Sequence, residues 1–163
     1  MNEKNMSEIK KKRIAIFGST GSIGTQTLEG ISDNPDLFEV EILTAQTNDA
    51  LLIEQALKYQ PNAVVIGDEN KYEAVKSALS SKNIKVFTGP TALEEVADFD
   101  TYDMMLACIV GFAGVTPTLK AIEKGKAIDL ANKETLVVAG DRLMQLALEN
   151  RVPIIPVDSE HSA

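Results

Sequence analysis

Short apolar runs rich in β-branched residues recur seven times along the chain, at about 13–17, 39–44, 63–66, 84–87, 103–109, 126–130 and 152–156. Between them lie stretches long enough for a helix, at about 22–32, 49–59, 69–80, 91–97, 115–124 and 134–149. Strands joined through helices pair in parallel, because a parallel connection needs a dozen or more residues to cross the sheet. The pattern therefore predicts an α/β fold, Rossmann-like and doubly wound, with a mostly parallel sheet and helices on both faces. Within the second helix, Leu51, Leu52, Gln55, Ala56 and Tyr59 fall on one face, Asn48 suits the N-cap, and Gly125 suits the residue just past the fifth helix. No internal repeat or linker divides the pattern.

At 163 residues the chain has the length of one domain. It holds 16 Lys and Arg against 24 Asp and Glu, a formal charge of −8, which is a poor match to a polyanion. Nucleic acid is therefore not expected as a partner. Cations cluster only in residues 1–13, five against two acids, so the other 150 residues carry −11. That run is short and lacks interleaved aromatics, so it reads as a solvated tail that leads into the first strand. Neither a signal-peptide core nor about 18 consecutive apolar residues is present, so no membrane role and a cytoplasmic location are expected. The one cysteine, Cys108, lies in an apolar run and reads as a structural thiol in a reducing compartment.

The first strand runs into Gly18-Ser19-Thr20-Gly21-Ser22-Ile23-Gly24, which opens a helix. Glycines in such a turn allow a tight reversal, close approach to a pyrophosphate, and close packing of helix on strand. The helix N-terminus adds N–H groups and the positive end of a dipole. The spacing is Gly-x-x-Gly-x-x-Gly, and the strand–turn–helix context makes dinucleotide binding the expected role. An enzyme that uses NAD places a carboxylate at the end of the second strand, on the ribose 2′-hydroxyl. Here that end reads Ala45-Gln46-Thr47-Asn48, without an acid, which favours NADP; no Arg or Lys is present there either.

Two further segments follow strands at the edge where doubly wound sheets bind ligands: Leu130-Ala131-Asn132-Lys133-Glu134 and Val157-Asp158-Ser159-Glu160-His161-Ser162. Asp158 and Glu160 are two residues apart, which puts both carboxylates on one face of an extended chain. Converging carboxylates suit a hard divalent cation, Mg2+ or Mn2+; the bland alternative is a solvated acidic turn.

The turn GSTGSIGTQTL, the segment IVGFAGVTPTLKAIEKGKAIDLANKETLV and the closing PVDSEHSA together resemble the 1-deoxy-D-xylulose 5-phosphate reductoisomerase family, over about Lys12 to Ala163. Known members are longer. The resemblance implies a basic tail over 1–12, an NADPH-binding domain over 13–157, and the start of a catalytic domain over 158–163. It further implies that Gly18, Thr20, Gly21, Ser22 and Ile23 hold the NADPH pyrophosphate. Gln46, Thr47 and Asn48 would meet the adenosine 2′-phosphate, and Asn132 and Glu134 would contact the cofactor. Many members carry a basic triplet where this chain has Gln46-Thr47-Asn48. Lys133 and Glu160 would act in catalysis, Lys133, Ser159 and Glu160 would bind substrate, and Asp158 and Glu160 would hold the metal.

The implied reaction converts a phosphorylated sugar, 1-deoxy-D-xylulose 5-phosphate, to 2-C-methyl-D-erythritol 4-phosphate for non-mevalonate isoprenoid synthesis. A metal-assisted skeletal rearrangement is followed by hydride reduction, with the nicotinamide near Gly111–Gly114. The full-length enzyme would be a homodimer and this span alone inactive. An NADP-dependent aldehyde or semialdehyde dehydrogenase, or a nucleotide-sensing module, would explain the glycine turn but not the lysine and acidic segments.

Overall fold

In a computed structural model the described residues are 10–131 and 133–156, with 133–139 and 156 described by backbone alone. Seven strands, β1 (Lys12–Phe17), β2 (Phe38–Ala45), β3 (Ala63–Ile66), β4 (Lys85–Thr88), β5 (Met104–Ala107), β6 (Ala127–Leu130) and β7 (Ile154–Pro156), form one sheet. Its order is β4-β3-β2-β1-β5-β6-β7, and every neighbouring pair is parallel. The chain thus winds outward from β1 in one direction and, after β4, returns to wind outward in the other. The resulting switch point lies between β1 and β5.

Six helices connect the strands: α1 (Ser22–Asp33), α2 (Asp49–Tyr59), α3 (Tyr72–Ala78), α4 (Ala92–Ala97), α5 (Val115–Glu123) and α6 (Lys133–Asn150). Alternation along the strands divides the core in two. Ile14 and Ile16 of β1 face one cluster with Leu28 and Ile31 of α1, Leu52 of α2 and Val75 of α3. Ala15 and Phe17 face the other, with Val96 of α4, Ile122 of α5 and Leu143 of α6. Burial on both faces explains why the central strands read as continuous apolar runs.

The expected caps are present. Asn48 accepts a hydrogen bond from the Leu51 N–H at 3.2 Å. Gly125 has φ +79°, with its N–H on the Ile122 carbonyl and the Lys126 N–H on the Ala121 carbonyl, a paired C-terminal closure of α5.

Three elements depart from expectation. The helix expected at 69–80 is a 3-10 turn (Glu69–Lys71) followed by α3; Asp68 accepts the Asn70 N–H and tightens that entry. The fifth strand stops at Ala107 rather than 109, because Gly18 (φ +94°) turns β1 away and leaves β5 no partner beyond Phe17. The seventh begins at Ile154 rather than 152, after Arg151 at φ 55° and Pro153, which has no N–H to donate. Lys12, expected in the tail, already belongs to β1, and the guanidinium of Arg13, in the first strand as expected, donates to Asp103 at 3.2 Å and clasps the start of β1 to the residue before β5. Among the described residues no helix is long and apolar enough to cross a membrane.

Candidate cofactor-binding site

At the carboxyl ends of the strands a cleft of about 990 Å3 spans the switch point. Gly18, Thr20 and Gly21 form one wall, Thr44 to Thr47 and Gly67 to Asn70 a second, and Cys108 to Val110 with Phe112 and Ala113 a third. Val110 and Phe112 are 81% and 74% exposed. Such large apolar groups held open beside polar backbone suit a flat heterocycle.

The three turn glycines have separate jobs. Gly18 needs its positive φ, and a Cβ there would lie 3.0 Å from the Cys108 carbonyl oxygen. At Gly24 a Cβ would strike the Gly18 carbonyl and lie 2.7 Å from the Ser19 Cα, so this glycine sets the close packing of α1 on the turn. Gly21 differs: its φ of −78° suits any residue, and the nearest atom to a Cβ would be 3.8 Å away. The protein itself does not demand glycine at 21. What glycine provides there is open space at the N-terminus of α1.

That terminus is also electrically open. The cap residue of α1 is Gly21, with no side-chain cap hydrogen bond and no acid in the first turn. The N-terminus of α2, by contrast, is capped by Asn48 and carries Asp49. Of these two helix ends, only that of α1 offers its first-turn N–H groups and dipole to an anion.

Ser19, to which the glycine motif assigns no role, anchors the turn. It is fully buried; its N–H donates to the Thr44 carbonyl at 2.8 Å and its Oγ to Gln55 Oε1 at 2.8 Å. Gln55 Nε2 returns a bond to the Ser19 carbonyl at 2.9 Å, and Thr44 Oγ1 accepts the Gly18 N–H at 2.9 Å. The signal was present in the sequence: a glutamine on the apolar face of α2 must find a partner inside.

Among the expected cofactor residues, Gly18, Thr20, Gly21, Gln46 and Thr47 line the cleft. Ser22 is exposed in the first turn of α1, while Ile23 packs against the apolar cluster. Asn48 does not line the cleft; its side-chain oxygen serves α2 as a cap. Cys108 is a structural thiol as expected but lies at the cleft wall, where Sγ donates to the Phe17 carbonyl at 3.1 Å. Burial, with Asp129 nearby, pushes its pKa up to about 12, so it stays a thiol.

Asp129, on β6, keeps one buried carboxylate oxygen without a hydrogen-bond partner among the described residues, and burial raises its pKa. Backbone alone is described at Lys133 and Glu134, which open α6 just after β6. Asn132, Asp158, Ser159 and Glu160 lie outside the described residues. The last described strand, β7, is parallel to β6 and ends at the edge that holds the cleft.

An all-parallel doubly wound sheet with a phosphate-type turn at its switch point defines the class: a Rossmann-type dinucleotide-fold domain. Comparison with known proteins narrows it. The family model for 1-deoxy-D-xylulose 5-phosphate reductoisomerase matches residues 14–140, and the chain belongs to that family. Enzymes of that name from Bacteroides fragilis and Porphyromonas gingivalis are both 56% identical, over 97% and 94% of this chain. The chain spans 41% and 40% of their lengths. Among solved structures, the Zymomonas mobilis reductoisomerase in complex with NADPH superposes with a TM-score of 0.88 at 39% identity, covering 94% of this chain and 40% of that one. A reductoisomerase in complex with NADPH, fosmidomycin and magnesium matches at 0.86 and 34% identity, over 93% of this chain and 38% of that one. Staphylococcus aureus homoserine dehydrogenase, at 19% identity and a TM-score of 0.58, shares the fold alone.

Proposed function

We propose that this chain is the NADPH-binding part of a reductoisomerase that converts 1-deoxy-D-xylulose 5-phosphate to 2-C-methyl-D-erythritol 4-phosphate. The observation that carries the reading is the N-terminus of α1, uncapped, free of acids and kept open by Gly21 beside the switch-point cleft. A pyrophosphate fits this cradle: its negative charge meets the helix dipole, and its bulk takes the space a Cβ would fill. The family membership and the NADPH complex of a 39% identical structure support the same cofactor.

When bound, NADPH supplies a hydride and a divalent cation, Mg2+ or Mn2+, supplies Lewis acidity. The chain's own residues bind and orient. Thr20, Gly21, Ser22 and Ile23 hold the pyrophosphate through the turn and the first turn of α1. Gln46 and Thr47 border the adenosine ribose. Val110 and Phe112 present exposed apolar side chains to the nicotinamide end. Lys133 adds positive charge where the substrate oxygens would bind, with Asn132 and Glu134 beside it on the cofactor. Asp158 and Glu160 have the donor chemistry of a hard-cation site, and Ser159 and Glu160 would contact the phosphorylated sugar. The protein would work in the cytoplasm as a homodimer without nucleic acid or membrane partners, in keeping with its acidic charge of −8.

Fluorescence titration tests the cofactor assignment. The chain is expected to bind NADPH more tightly than NADH, and equal affinities would contradict it. As the chain spans about two-fifths of its relatives' length, this span alone is expected to show no NADPH oxidation with substrate and Mn2+. Turnover by it would contradict that part of the proposal.

A further inference from the structure

The cleft presents a charge problem that its lining does not solve. Its described wall residues include Asp68, Glu69 and Glu94 but neither Lys nor Arg. NADPH brings a pyrophosphate and a 2′-phosphate. The α1 terminus answers the first charge, and the second would fall at Gln46 and Thr47, where the sequence has no cation.

The fold brings one in from elsewhere. Lys71 ends the 3-10 turn after β3, 24 residues along the chain from Thr47, yet its Nζ donates to the Thr47 carbonyl oxygen at 2.8 Å. The same ammonium lies 3.4 Å from Asp49 Oδ1 and so neutralises the acid that opens α2. Its side chain is 39% exposed, which leaves donor capacity facing outward. The neighbouring acids are turned to other tasks. Asp68 accepts the Asn70 N–H, and Glu69 points to Gly89, where its Oε1 would lie 3.2 Å from an added Cβ.

We infer that Lys71, held on the Thr47 carbonyl, is the cation that pairs with the adenosine 2′-phosphate and so selects NADPH over NADH. The assignment rests on the cofactor reading above. It places the selecting charge on the connection after β3 rather than on the strand-end loop itself. A lysine serves here as a point charge against a phosphate dianion, and its pairing with Asp49 keeps it at the rim when the cofactor is absent.

Titration of the chain with NADPH and NADH, for wild type, Lys71→Gln and Lys71→Arg, tests the assignment. Lys71→Gln is expected to weaken NADPH binding about tenfold or more and leave NADH unchanged, since a charge-assisted bond is lost on one ligand only. Lys71→Arg should keep most of the preference. A preference unchanged in Lys71→Gln would overturn the assignment alone. Equal loss for both nucleotides would overturn it too, showing a tether for the loop rather than a phosphate contact. Failure of wild type to bind either nucleotide would overturn the cofactor reading and the assignment with it.

Discussion

Gly21 and Gly24 sit three residues apart in one turn, and the structure asks different things of them. A methyl group at 24 meets backbone that cannot yield, while one at 21 meets nothing closer than 3.8 Å. Gly24→Ala is therefore expected to destabilise the fold by about 1–3 kcal/mol through overpacking. Gly21→Val should cost no more than about 1 kcal/mol, the loss of a good cap residue, while weakening NADPH at least about tenfold, because the side chain occupies the space proposed for the pyrophosphate. Urea melts and titrations on the two variants check both halves. Asp129 offers a second test at this scale. Its pKa is raised by burial, so the folded chain holds the proton more tightly than the unfolded one. Its contribution to stability is greatest below the ordinary value near 3.8 and is lost as pH rises through the raised one. Asp129→Leu should remove that loss. The variant is expected to gain up to about 1 kcal/mol on wild type between about pH 4 and pH 7, with solvent screening of a half-buried group setting the limit. Urea melts across that range would show no divergence if the unpartnered oxygen costs nothing.

At the scale of elements, α2 does more than cross between strands. Its buried Gln55 exchanges two hydrogen bonds with Ser19, so the glycine-rich turn is anchored to the helix that follows the loop after β2. Replacing Gln55 with Leu takes the Gln55 Nε2 donor from the buried Ser19 carbonyl and leaves the Ser19 hydroxyl only its longer contact to the Thr44 carbonyl at 3.2 Å, and is expected to cost about 1–3 kcal/mol. A double-mutant cycle with Ser19→Ala should be markedly non-additive, and additive values would show that the pair is not coupled. The elements themselves were largely legible in the sequence. Each of the seven strands and six helices lies within a segment that alternation and periodicity mark, with shifted bounds at β5, β7 and α3, because the central strands are buried on both faces and the helices on one. The cap at Asn48 and the closure at Gly125 were legible for a local reason: both bond within four or five residues. The pairs Ser19–Gln55, Arg13–Asp103 and Lys71–Thr47 were not, since their partners are 36, 90 and 24 residues apart and meet only through sheet order. The shortened α3 was missed because an Asx contact at Asp68 competes with regular helix in a way that propensity does not show.

For the whole molecule, outward winding in both directions from β1 creates one crevice, and sequence motifs far apart in the chain open onto its edge. The glycine turn leaves β1, the neutral loop leaves β2, the lysine connection leaves β3 and the apolar loop leaves β5. The start of α6 with Lys133 follows β6, and β7 leads towards the acidic segment. The glycine turn and the neutral loop were readable as parts of a site because they carry residue types that a dinucleotide needs. Their convergence was readable only through the fold class. A dinucleotide seated in this crevice with its phosphates on α1 would perturb a defined set of amides, which chemical-shift mapping on NADPH addition reads out. Shifts are expected at Gly18–Ile23, Gln46, Thr47 and Val110–Phe112, with none at Tyr59 and Asn62 near the opposite edge of the sheet. Shifts confined to that opposite edge, or none at Gly21 and Ser22 at saturating NADPH, would contradict that placement.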